Sequence, residues 1–61
     1  MSYLDEINSL VIKHNLNATL HNPVAVFSTS NYSHTCKVDS IDTKKRYDVL
    51  LQWLKDMGLE S

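Results

Sequence analysis

One glycine, one proline and one cysteine in 61 residues remove several kinds of chemistry before any motif is sought. Loops that cradle phosphate need several glycines; the lone glycine is Gly58, close to the end of the sequence. A single cysteine, Cys36, cannot form a disulfide within the chain, nor the closely spaced pair typical of structural zinc. No apolar run approaches the roughly 20 residues that cross a bilayer. Charge of one sign is lacking too: six basic and seven acidic residues leave −1, so no global field draws in nucleic acid or a membrane surface. The start, Met1-Ser2-Tyr3-Leu4-Asp5-Glu6, is acidic where a secretory signal would be basic and then apolar. With one free thiol, this leads us to expect a cytoplasmic protein. Two matches to the N-glycosylation pattern, at Asn17 and Asn31, have no meaning in such a compartment.

A chain of this length makes one domain, residues 1–61, and buries only about 60% of the surface its unfolded form exposes. Small domains usually add disulfides, a metal or self-association. The first is excluded here.

Apolar patterning predicts the elements. Tyr3, Leu4, Ile7, Leu10, Val11 and His14 recur at spacings of three and four, the stripe of a helix over Tyr3–His14. Ser2 with Asp5 resembles a capping box, and Asn15, with Asn17 just beyond, supplies a stop. Ile12 lies off the stripe. Leu16, Ala18 and Leu20 alternate with polar residues as in a half-buried strand, which Asn22-Pro23 ends. Val24–Phe27 is apolar on both alternating faces. In Thr35–Ser40, Cys36 and Val38 share one face. Tyr47, Leu50, Leu51, Leu54 and Met57 define a second helix over Thr43–Met57, N-capped by Asp42 and stopped by Gly58. The expected fold is therefore α+β: α-β-β-β-α, a short antiparallel three-strand meander with both helices on one face.

This architecture leaves surplus apolar surface. Two helices cover one side of the sheet, so the other side presents either Val24 and Val26 or Ala25 and Phe27. On the second helix, Val49 and Trp53 widen the apolar arc to about 200°, twice what docking on a core needs. Trp53 either packs at the core's edge or anchors an interface, where tryptophan is enriched. The polar run Ser28–Ser33 reads as a hairpin loop or as a recognition loop anchored by Tyr32.

Reactive clusters are few. His34-Thr35-Cys36 offers two zinc ligand types on one strand face, with His14 and His21 elsewhere, but the paired cysteines of structural zinc are lacking and a buried small cysteine beside a turn histidine is the favoured reading. No nucleophile elbow is present, and a core this small can hardly wall a substrate pocket alone. Lys44-Lys45-Arg46 collects half the basic residues in a helix's first turn, where the dipole disfavours them. With Lys37 they form a candidate phosphate site, although Asp39, Asp42 and Asp48 surround them and Asp42 is spaced to pair with Arg46.

The expected function is a small non-catalytic interaction domain that binds a partner protein. Its candidate contacts are Trp53, Val49, Phe27 and Tyr32, and a homodimer is the favoured form. No cofactor, metal or membrane contact is expected. In size and lack of motif the chain is similar to the accessory proteins of bacteriophages and other mobile elements, which often bind and inhibit host machinery. The alternative is a nucleic-acid-associated regulator using Lys37, Lys44, Lys45 and Arg46.

Overall fold

The computed structural model describes residues 2–21, 23–29 and 34–60. The order is α1 (Tyr3–Lys13), β1 (Asn17–His21), β2 (Val24–Ser28), β3 (Thr35–Asp39) and α2 (Thr43–Asp56). The α-β-β-β-α expectation holds, with boundaries shifted by a residue or so.

Local chemistry sets the helix ends. Ser2 caps α1, its Oγ accepting from the Asp5 N–H at 3.3 Å. Asp42 caps α2, its Oδ1 accepting from the Lys45 N–H at 3.1 Å. Both helices stop in the same way, at a residue of positive φ: Asn15 (53°) after α1 and Gly58 (79°) after α2. In each, the next residue's N–H reaches back to the last turn, Leu16 to the Val11 carbonyl and Leu59 to the Leu54 carbonyl, both at 2.9 Å. These bonds satisfy carbonyls that a helix end otherwise leaves bare.

The sheet is an antiparallel meander, β1-β2-β3. β1 and β2 pair from His21↔Val24 to Asn17↔Ser28, and β2 and β3 from Val24↔Asp39 to Ser28↔Thr35. The rows Ala18-Phe27-Cys36 and Leu20-Ala25-Val38 therefore lie on one face, and His21-Val24-Asp39 and Thr19-Val26-Lys37 on the other. Ser40 fastens the far end, its N–H donating to the Pro23 carbonyl at 2.9 Å.

Both helices cover the first face. α2 packs on β3, and α1 packs on α2. The helices run side by side in the same direction: Tyr3 meets Tyr47 near the two N-termini, ring centroids 5.5 Å apart, and Lys13 Nζ reaches Glu60 Oε2 at 3.1 Å near the C-termini. The core between them comprises Ile7, Leu10, Leu16, Ala25, Phe27, Cys36, Val38, Leu50 and Leu54. Leu50 and Leu54 are sealed completely. Ile12, which lay off the α1 stripe, is 80% exposed.

Of the two possible inner pairs on β2, Ala25 and Phe27 face the helices while Val24 and Val26 are half-buried on the outer face. This corrects the placement of Phe27 among partner-facing residues: at 3% exposure it is core. β1 also departs from expectation. Read as half-buried, it is exposed at all five residues. Ala18 and Leu20 do point to the helix side, but no helix reaches over them. Leu16 alone of that alternation is buried, and it precedes the strand.

Candidate functional site: the β1 edge and the α1–β1 groove

A strand at a sheet's edge offers unpaired backbone N–H and C=O groups, and proteins normally blunt such edges with charge, proline, bulges or a covering element. β1, Asn17-Ala18-Thr19-Leu20-His21, has no Lys, Arg, Asp, Glu or Pro. Its register with β2 runs unbroken over all five residues, so there is no bulge. Leu20, 61% exposed, stands on its helix-facing side.

Beside β1 lies a groove of about 250 Å³. α1 supplies Leu4, Ile7, Asn8 and Val11, the strands supply Ala18, Thr19, Leu20, Ala25 and Phe27, and α2 supplies Arg46. The groove exists because α1 leans on α2 rather than on β1, leaving the first strand's inward side chains without a roof. Leu4, about half exposed, faces it from the helix.

Arg46 is the unexpected member. As the third residue of Lys44-Lys45-Arg46 it was expected on a basic surface, paired to Asp42. Instead it is 8% exposed. Its Nη1 donates to the Ser40 carbonyl at 3.2 Å, and its Nε is buried with no hydrogen-bond partner among the described residues. The helical period explains the correction. Arg46, Leu50 and Leu54 are spaced by four, so Arg46 begins the buried stripe, while its link to Asp42 is only the helical backbone bond, 2.9 Å. That spacing was readable in the sequence.

The remaining basic residues do not make a strong phosphate site. Lys44 pairs with Asp48 one turn on, at 3.6 Å. Lys45 and Lys37 border a shallow concavity with Val24, Val38, Val49 and Asp39, so a carboxylate shares that wall with the two cations. The Asp39 carboxylate also accepts from the Ile41 N–H at 2.8 Å.

The other partner-facing candidates are scattered. Trp53 is half-buried against the core, together with Tyr47, Leu51 and Met57. Val49 is partly exposed at the rim of the Lys37–Lys45 concavity. Tyr32 lies outside the described residues. These side chains do not converge with the β1 edge. Leu4 and Leu20, which do, both fit apolar stripes, so their pattern in the sequence marks them as core although they are 48% and 61% exposed.

Cys36 is buried on β3 and free, and burial pushes its thiol pKa up, so the thiolate needed for nucleophilic or ligand chemistry is disfavoured. His34 is exposed, beside Asp56, Met57 and Leu59. Among the described residues, no three of His, Cys, Asp and Glu come close enough to hold a metal ion. No described helix is long and apolar enough to cross a membrane.

No protein-family model, curated protein sequence or solved structure matches this chain.

Proposed function

We propose that this chain is a small non-catalytic interaction domain that works by pairing its β1 edge with a β1 edge of a second copy. One observation carries the reading: β1 is exposed along its whole length and has none of the charge, proline or distortion that keeps a sheet edge solitary. The strand is also self-complementary. Antiparallel pairing about Thr19 sets Ala18 opposite the partner's Leu20 on the helix side, and Asn17 opposite the partner's His21 on the outer side. Apolar meets apolar and polar meets polar, which is what a two-fold interface requires. Backbone bonds would supply affinity, and the register of Ala18 and Leu20 the specificity.

The apolar material around the edge, Leu4 and Leu20 above all, suits the same role. So does the small core, since doubling the sheet buries surface that a chain of this size otherwise leaves wet. The buried, protonated thiol of Cys36 suits a reducing interior, and we assign the domain to the cytoplasm. A role like that of mobile-element accessory proteins fits the size. Nucleic-acid binding is the weaker reading, because Arg46 is withdrawn into the groove and Lys44 is paired.

The test is hydrodynamic. Sedimentation at high micromolar concentration should give twice the 7.0 kDa chain mass. Thr19 pairs with Val26 of β2, so the outward N–H groups of β1 are those of Ala18 and Leu20; Ala18→Pro removes one of them and should yield a folded monomer by circular dichroism. A parent that sediments as a monomer throughout would refute the pairing.

A further inference from the structure

A guanidinium stays charged at any pH a protein tolerates. Burying one without a counter-ion is expensive unless the charge and its hydrogen bonds are matched. Arg46 is buried, and its matching is incomplete. Among the described residues its one side-chain hydrogen bond goes to a neutral carbonyl, that of Ser40, and its Nε has no partner there. The described ion pairs all lie elsewhere, at Lys13–Glu60, His14–Glu60 and Lys44–Asp48. The position is not accidental debris on the surface either, since Arg46 forms part of the wall of the α1–β1 groove.

The remainder of that wall is almost wholly aliphatic or aromatic: Asn8 has a polar side chain, and that of Thr19 points to the outer face of the sheet. One uncompensated cation in an apolar cleft, with few other polar groups, defines a narrow ligand chemistry. Ligand sites are mostly apolar with a small number of polar groups that fix orientation. We infer that the α1–β1 groove is a binding site for a small aliphatic carboxylate, its hydrocarbon chain against Leu4, Val11, Ala18 and Leu20 and its carboxylate directed to Arg46. The volume, about 250 Å³, lies just under the usual range for small-molecule sites, which suits a single short chain. A peptide segment fits less well, because its backbone would bring amides into a groove that has little to offer them. The inference does not depend on β1 pairing, since every wall residue belongs to one chain.

Octanoate below its micelle concentration is the direct probe, with octylammonium and octanol as partners of the same chain length. Octanoate should raise the Tm saturably, as a ligand selective for the folded state must. Octylammonium should not, and octanol should bind about tenfold or more weakly, the factor expected for losing a charged hydrogen bond. Arg46→Met removes the charge but keeps an unbranched chain, so the variant should melt higher than the parent and bind octanoate about tenfold or more weakly while its octanol affinity is retained. Asn8→Glu is a second, exposed variant on the helical wall, away from the β1 backbone. It should fold as the parent does and weaken octanoate selectively, by placing like charge in the groove. Equal responses to octanoate and octylammonium, no saturable response to octanoate, or unchanged octanoate affinity in the variants that fold would each overturn the assignment. Sedimentation of the same samples reads β1 pairing separately, so failure of one proposal is not mistaken for failure of the other.

Discussion

The two edges of the sheet are built from strands of equal length and opposite character. β3 alternates buried and exposed residues: Cys36 and Val38 lie under α2, and Thr35, Lys37 and Asp39 face water. β1 has a comparable alternation in its sequence, yet all of it is exposed. The difference lies above the strands and not within them. α2 packs on β3, while α1 packs chiefly on α2 and leaves all of β1 exposed. Periodicity therefore specifies which way a side chain points, and a neighbouring element decides whether anything covers it. Charge follows the same division. The covered strand also has Lys37 and Asp39 to discourage edge pairing, and the uncovered strand has neither.

The largest effect should come from the covered side. Val38→Ala on β3 removes a buried side chain and should cost about 1.5–3 kcal/mol of stability, a large share of what a chain of this size has. Leu20→Ala on β1 should leave chemical denaturation of the monomer within about 0.5 kcal/mol of the parent but lower the concentration-dependent mass if β1 pairs. Similar losses of monomer stability from the two variants would erase the distinction. A smaller effect is expected where α2 begins beside β3. Lys45→Glu replaces a cation with an anion in the first helical turn and should stabilise by about 0.3–1 kcal/mol, read from the denaturation midpoint in low salt. Destabilisation instead would mean that Lys45 has a hidden partner across the Lys37–Asp39 concavity.

The smallest effect concerns the far ends of the helices. The hydrogen bond from Lys13, aided by the nearby His14, holds the Glu60 carboxyl below its ordinary value of 4.5. A carboxylate whose pKa is depressed by folding adds stability that is complete above the unfolded value and lost as pH falls through the folded one. The contribution should therefore be intact at neutral pH and fade as the pH drops below about 4.5. Glu60→Gln should flatten that part of the stability–pH curve, measured by urea denaturation between pH 3 and 6. An unchanged slope would show that the clasp between the helices adds nothing.

Most of the fold was legible in the sequence because local rules agreed with one another. The two helical stripes were bounded by residues whose chemistry ends helices, and Ser2, Asp42, Asn15 and Gly58 each did so in the structure. The site was less legible, for three separate reasons. Val24–Phe27 is apolar at every position, so alternation alone could not choose between its faces; pairing to Cys36 and Val38 chose Ala25 and Phe27. β1 read as half-buried because its pattern is real and its roof is missing. Arg46 was grouped with its neighbours by charge, whereas its spacing to Leu50 and Leu54 groups it with the core.

The side-by-side run of the two helices has a consequence for the order in which the structure can form. Lys13 and Glu60, which touch, are separated by 47 positions along the chain, and the whole sheet lies between them. Hairpin contacts such as His21 with Val24 close loops of a few residues, whereas the helix–helix contact must close nearly the entire length at once. Chain-closure entropy rises with that separation, and contacts of long range tend to wait for local ones. The meander and the docking of α2 on β3, its neighbour in the chain, should thus take shape before α1 closes on α2. Until α1 arrives, Ile7 and Leu10 are missing from the core and the β1 edge has no helix near it. The last contact to form is the one that walls the groove.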